Sequence, residues 1–391
     1  MSSPADFPGR TPPAEPPPFA ARVYRLREDV RHAGLDALLV THPPNIRYLT
    51  GFSGTAGVLV VTATRCLLIA DFRYAAAARE LVAARGDGAL ELVVPDGGYD
   101  EAIVSALRMG DTARAGVEAA WLSVSRFNRL TASLASNKSI RESSRTRTVS
   151  LIPTERLVEA RREVKDATEI ATLKEAARRL SLVAREVRSF VRTGRSERMI
   201  AADIDAALRA AGFERPAFET IVASGANSAR PHARPGERPI ADGDGVVLDF
   251  GGVYDGYCVD LTRTLYVGVP APALVRLKAA VREAHAAAIA AVRPGARPSE
   301  IDAAARDVLT RHGLGDAFGH GTGHGLGLEV HEDPRIARLP AALPDTPVVP
   351  GMVFTIEPGA YVDGVGGVRI EDDVLVVEGG CDVLTDVPID I

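Results

Sequence analysis

The chain has 391 residues, 46% of them hydrophobic and 25% charged, and its 46 basic and 51 acidic residues leave a net charge of −5. That is ordinary globular composition with room for two domains, with no basic footprint for nucleic acid and no apolar run near the roughly 20 residues that cross a bilayer. The expectations are a cytoplasmic protein without a secretory leader, acting on small substrates, with Cys66, Cys258 and Cys381 as reduced thiols because no CxxC spacing joins them.

Residues 1–18 carry seven prolines and almost no apolar periodicity, and read as a disordered tail. From Ala20 to about Ser150, short apolar runs at 36–40, 57–61, 66–70 and 91–95 alternate with helical patterns at 74–84 and 99–108. This predicts an α/β domain with a mixed or mostly parallel sheet over 19–155. The polar run 136–148 marks the expected boundary, and the stretch from Leu151 to Ile170 reads as a connector into a long helix.

The second domain, 156–391, contains an internal echo. Val191, Arg192, Gly194, Ile200, Leu208 and Gly212 recur as Val292, Arg293, Gly295, Ile301, Leu309 and Gly313. Each copy predicts a helix, a glycine stop and a second helix with glycine just past its end. Each then runs into a β-type segment carrying one carboxylate before a glycine turn, VVLDFGG at 246–252 and VFTIEPG at 353–359. Two related units facing one site are the expectation.

The chemistry sits in two candidate hairpins. Around the turn Tyr254-Asp255-Gly256, Asp249 and Asp260 fall either directly opposite each other or offset by two residues, and on one face in both cases. Glu357 and Glu371 are equidistant from Gly364, so hairpin pairing puts them on one face as well. Four converging carboxylates repel unless something cationic neutralises them. Arg263 and Arg369 are near in sequence but leave the set acidic, whereas two divalent ions neutralise it. An oxygen-rich set with one imidazole suits Mn²⁺, Co²⁺ or Zn²⁺ better than a dry structural zinc site. The imidazole should come from GHGTGHGLGLEVHEDP at 319–334, where Gly321 and Gly323 exclude a helical HxxxH zinc site. Neither this run nor GFSGTAG at 51–57 has the Lys-Ser/Thr of a phosphate loop. Asp372 and Asp373, beside Glu371, read as solvated or supporting groups.

These blocks, with PHARPGERPIADGDGVVLDFGG, GYCVDLTRT, FTIEPGAY and GGVRIEDD in this order, resemble the metal-dependent pita-bread aminopeptidases. That group includes Xaa-Pro aminopeptidase, Xaa-Pro dipeptidase (prolidase) and, more distantly, methionine aminopeptidase and creatinase. The resemblance implies an α/β creatinase-like N-terminal domain and an α+β pita-bread catalytic domain with a pseudo-two-fold repeat. It implies that Asp260 and Glu371 bridge two metal ions, Asp249 binds one of them, and His324 and Glu357 complete the other. His232, His320, His331, Tyr361 and Arg369 match supporting and substrate-positioning residues. The implied reaction is hydrolysis of the bond between an N-terminal residue and proline by a metal-bridged hydroxide, with Glu357 as proton carrier, His232 and His331 steadying the oxyanion, and Arg369 orienting a carboxylate.

Manganese and a homodimer acting on small peptides with proline second are expected. A creatinase-like hydrolase without metal, or a dead module kept for binding, would have lost ligands, and all five positions are filled. The full N-terminal domain disfavours methionine aminopeptidase. Between the two Xaa-Pro enzymes, the GFSGTAGVLVVT segment favours the aminopeptidase, with the dipeptidase as the alternative.

Overall fold

Four apolar runs of the N-terminal half become neighbouring strands of one sheet. The structure, a computed structural model, describes residues 18–109, 111–136, 148–340 and 343–390. The Pro-rich tail up to Pro17 and residues 137–147 of the polar run lie outside the described residues. The chain divides into two units, Pro17–Arg162 and Glu163–Ile391.

The first unit runs α1 (Phe19–His32), β1 (Ala37–Val40), α2 (Pro43–Thr50), β2 (Val58–Thr62), β3 (Cys66–Ile69), α3 (Ala75–Arg85), β4 (Glu91–Val93), α4 (Tyr99–Arg108), β5 (Arg114–Glu118), α5 (Val124–Ala135), β6 (Ser150–Thr154) and α6 (Glu159–Arg162). Its strands form a mixed sheet in the order β4-β3-β2-β1-β5-β6. All four residues of β1 and of β3 are buried, as strands covered on both faces require. One expectation is corrected here. Residues 150–154, read as a connector, are the edge strand β6, paired parallel to β5 from Arg114↔Ser150 to Glu118↔Thr154. That strand lies within the expected first domain, 19–155, and the first compact unit runs on to Arg162.

The second unit opens on α7 (Ala167–Val187), started by a capping box in which Asp166 accepts from the Thr168 and Glu169 amides and Glu169 returns the bond to the Asp166 amide. It continues through α8 (Glu197–Ala210), β7 (Arg215–Pro216), β8 (Ile221–Ser224), β9 (Gly245–Tyr254) and β10 (Tyr257–Tyr266). The second half runs α9 (Pro272–Ala291), α10 (Pro298–Arg311), β11 (Gly323–Gly325), β12 (Glu332–Ile336), β13 (Val353–Ile356), β14 (Gly359–Val362), β15 (Gly366–Arg369), β16 (Asp372–Val377) and β17 (Gly380–Val383). The echo in the sequence is physical. Gly194 and Gly295 follow the first helix of each half at φ 84° and 87°, and Gly212 and Gly313 end the second helices at 88° and 72°. Only glycine takes that left-handed conformation without steric cost.

Each half buries its own core. Leu173, Leu180, Ile204 and Leu208 pack on Leu248 and Phe250 in the first. Leu277, Val281, Ile301 and Leu309 pack on Phe354 and Val374 in the second. All ten positions of β9 are buried, so its residues face core on one side and the site on the other. Among the described residues no helix is long and apolar enough to cross a membrane.

Candidate metal centre

The first pair of carboxylates is placed by a two-residue turn. Tyr254 pairs with Tyr257, leaving Asp255 and Gly256 as the central residues at φ 47° and 79°, the backbone that a tight hairpin needs. In that register Thr262 lies opposite Asp249 and Gly251 opposite Asp260. Of the two geometries open from sequence, the structure adopts the offset of two residues, with both carboxylates on one face.

The second pair sits in a gap in a longer hairpin. β14 pairs with β15 from Gly359↔Arg369, and β13 pairs with β16 from Ile356↔Asp372 in the same register. Glu357 and Glu371 fall opposite each other where the ladder lapses, so their backbone bonds go elsewhere. The Glu357 amide donates to the Thr322 carbonyl at 2.7 Å, and the Glu371 amide to the Thr262 carbonyl at 3.1 Å. Thr262 also donates its hydroxyl to Glu371 Oε2 at 2.6 Å, which ties the two hairpins together.

His324 lies on β11, with its amide donating to Thr355 Oγ1 at 3.1 Å. Its Nδ1 is 3.1 Å from the Gly325 carbonyl, which can only accept, so the proton sits on Nδ1 and the Nε2 lone pair is left for the cavity. Burial first, then His331, pushes the imidazole down to about 4, which keeps it in the neutral form a metal requires. Ligand atoms of Asp260, His324 and Glu371 all lie within 4.8 Å of one another, and His324 Nε2 is 3.7 Å from Glu357 Oε1.

Charge is the problem this site has to solve. Burial, followed by Glu371 and Asp249, holds the Asp260 carboxyl well above the usual range. Burial, followed by Glu357 and Asp249, does the same to Glu371. Burial lifts Glu357 to about 8, with Arg369 opposing the shift and Asp249 adding to it. Asp249 Oδ1 and Asp260 Oδ1 are buried without a hydrogen-bond partner among the described residues. Orphaned acceptors are costly inside a protein, and here they face a set of oxygens plus one neutral imidazole. That donor set fits hard to borderline divalent cations such as Mn²⁺, Co²⁺ or Zn²⁺.

The surrounding residues form one hydrogen-bonded chain. Arg369 bonds Asp249 through Nη2, Tyr361 OH at 2.5 Å and the Pro231 carbonyl at 3.2 Å through Nη1, and Thr262 Oγ1 at 3.2 Å through Nε. The carboxylate that Arg369 orients is thus that of a candidate ligand, Asp249. Tyr361 OH in turn lies 3.2 Å from His320 Nε2, whose Nδ1 is 2.8 Å from the Gly321 carbonyl. The phenol therefore donates to His320, and burial pushes Tyr361 up to about 12 and His320 down to about 4. His232, His320 and His331 all line a cavity of about 710 Å³ together with Asp249, Asp260, His324, Glu357, Arg369 and Glu371. His331 also packs edge-on against His324 with ring centroids 4.4 Å apart.

Arg263, Asp372 and Asp373 lie behind the site. Arg263 is no counter-ion of the four carboxylates. It is fully buried behind them, and its five N–H groups donate to the carbonyls of Thr262, Glu371, Val387 and Pro388 and to Asp372. Of the two readings for Asp372 and Asp373, solvated or supporting, the second fits. Both are buried, Asp372 against Arg263 and His285, Asp373 accepting from the Asp260 amide at 3.1 Å.

The glycines of the histidine run serve close approach. A Cβ at Gly323 would stand 1.9 Å from the Thr355 carbonyl oxygen, and one at Gly325 would stand 2.2 Å from that of Asp333. Gly323→Ala should therefore push β11 off β13, costing at least ~1–3 kcal/mol and moving His324 from the carboxylates. Thermal melting and Mn²⁺ calorimetry check this, and a variant matching the parent in both would remove that role from Gly323.

The comparisons with known proteins agree with this geometry. The sequence profile of Metallopeptidase family M24 matches residues 171–378, and that of the Creatinase/Prolidase N-terminal domain matches residues 22–164. The chain belongs to metallopeptidase family M24. It is 35% identical to the uncharacterized peptidase YqhT of Bacillus subtilis over 94% of this chain and 98% of that one. The solved Xaa-Pro dipeptidase from Bacillus anthracis superposes with a TM-score of 0.86 at 36% identity, covering 95% of this chain and 98% of its own. The X-Pro aminopeptidase from Thermotoga maritima gives 0.81 at 32% identity, covering 95% and 99%. Both neighbours share the two-domain pita-bread architecture with this M24 chain.

Proposed function

We propose that this M24 metallopeptidase is an Xaa-Pro dipeptidase that uses two divalent ions held by Asp249, Asp260, His324, Glu357 and Glu371. This exchanges the order of the two readings expected from sequence, where the aminopeptidase came first. The more similar of the two solved neighbours is named a dipeptidase, and one side chain favours the same choice. Arg335 pairs directly with His324 across the β11–β12 ladder, which puts both side chains on one face. It is exposed on the cavity wall, and its charge adds to burial and His232 in lowering the His331 imidazole, against Asp249. A guanidinium there suits the free carboxylate at the end of a dipeptide, whereas a longer peptide presents a neutral amide. Phe218 and Ile221, which also line the cavity, offer apolar shape for a prolyl ring.

Bound cations would supply Lewis acidity and an acidified water. The protein supplies the rest. Glu357 takes the water proton and passes it to the departing amine. His232 and His331 face the oxygen of the scissile carbonyl, and Arg369 fixes the Asp249 carboxylate. A homodimer belongs to the same reading and is checked by sedimentation.

The test is turnover of Ala-Pro against Ala-Pro-Ala, on metal-stripped enzyme resupplied with Mn²⁺, Co²⁺ or Zn²⁺. The dipeptide should be preferred, and Arg335→Ala should raise its KM about 10- to 100-fold, the worth of a charged hydrogen bond, while leaving the tripeptide unchanged. Preference for the tripeptide restores the aminopeptidase reading. No cleavage with any of the three metals refutes both.

A further inference from the structure

We propose that each half of the catalytic unit holds its site loop through one buried carboxylate on its second helix, Glu197 for the segment bearing His232 and Asp302 for the segment bearing His320 and Thr322. Both side chains belong to fully buried residues, and neither lines the cavity.

Glu197, at the start of α8, spans the two ends of the His232 segment. Its Oε1 accepts from the Ser224 amide at 2.8 Å and the Ser224 hydroxyl at 2.7 Å, while Oε2 accepts from the Gly236 amide at 3.0 Å. Asn227 Nδ2 bonds both oxygens at 3.1 Å. Between those ends lie His232 and Pro231, whose carbonyl accepts from Arg369. Glu197 thus fixes where His232 enters the cavity, and no candidate metal ligand lies on the segment it holds.

Asp302, on α10, does the matching work in the second half. Its Oδ1 accepts from the Thr322 amide at 3.1 Å and the Thr322 hydroxyl at 2.8 Å. Arg306, one turn on, donates to both Asp302 oxygens at 2.8 and 2.9 Å and to the carbonyls of Phe318 and His320, each at 2.8 Å. The pair therefore grips alternate residues 318, 320 and 322. The Thr322 carbonyl then receives the Glu357 amide, so this anchor bears on a candidate metal ligand and proton carrier. Removing such outer supports costs about 10- to 100-fold in affinity or activity in metal sites generally.

The two anchors differ in what they hold, and Mn²⁺ affinity should separate them. This deepens the dipeptidase reading and rests on it. Asn227→Ala removes Glu197's side-chain amide donor and, by loosening the segment that carries the oxyanion-facing His232, should lower kcat for Ala-Pro about tenfold, with Mn²⁺ affinity unchanged. Thr322→Val keeps the shape, removes the hydroxyl, and should lower Mn²⁺ affinity and kcat about tenfold with KM unchanged, while Thr322→Ser should restore both. Asp302→Asn and Glu197→Gln should follow their partners if they fold. Hydrogen exchange should rise within 224–236 in the Asn227 variant and within 318–324 in the Thr322 variant. Two variants that merely melt lower, or that change Mn²⁺ affinity alike, would overturn the proposal. Calorimetry and exchange read both anchors even in an enzyme with no Xaa-Pro turnover, so failure of the substrate reading is distinguishable from failure of this one.

Discussion

Glu357→Gln should lower turnover of Ala-Pro about a thousandfold while leaving the fold intact. Gln has the same size, so the backbone bond to Thr322 and the register on either side of the gap survive. What goes is a carboxyl that can accept and return a proton. Burial and Asp249 raise this group toward about 8 and Arg369 opposes them, while any bound cation pulls it down. A carboxyl among the candidate ligands that can take and return a proton is suited to acid and base work, for which loss of the carrier costs about 10²- to 10⁴-fold. The measurement is kcat with metal content determined on the same sample. Activity within about tenfold of the parent, with metal content unchanged, would take the proton-carrier role away from Glu357.

Stripping the metal should destabilise the protein more as pH rises through neutrality. A carboxyl whose folded pKa lies above its unfolded value binds its proton more tightly when folded. It imposes no penalty below the unfolded value, and stability falls as pH rises toward the folded value. For Glu357 that window runs from 4.5 to about 8, and Asp260 and Glu371 shift the same way. His320 and His324, lowered from 6.5 to about 4, act oppositely between those values and are silent above 6.5. Of these groups, only the carboxyls act between about pH 6.5 and about pH 8. The chelated enzyme should therefore lose melting temperature across that interval while the Mn²⁺-loaded enzyme holds, widening the gap between them by more than about 5 °C. A gap that stays constant or narrows would mean that cations do not relieve this repulsion.

How much of this was legible follows from the kind of signal. Asp249, Asp260, Glu357 and Glu371 could be placed on common faces because hairpin register is arithmetic about a turn, and Gly256 and Gly364 mark the turns. The register left two offsets for the first pair, and only the backbone of Asp255 and Gly256 decided between them. Glu197, Asp302 and Arg306 left no trace, since an acid on an amphipathic helix looks the same whether it faces water or grips a loop. Arg335 lies just past the histidine run, and its bearing on the site depends on a strand pairing with His324 that no local pattern announces. For Asp372 and Asp373 a solvated and a supporting role both stayed open, because charged neighbours usually face water. Their burial depends on Arg263 and on the segment around Val387 and Pro388, distant in sequence.

The two-residue turn at Asp255-Gly256 acts as a ruler for the carboxylates, and the core guards its length. One added residue would invert β9 relative to β10, turning Asp249 into the space of Leu248 and Phe250 and those two side chains into the site. Because every position of β9 is buried, no inverted strand could be tolerated as a folded but inactive enzyme. Errors in ligand spacing would surface as unfolding, so stability and catalysis guard the same register.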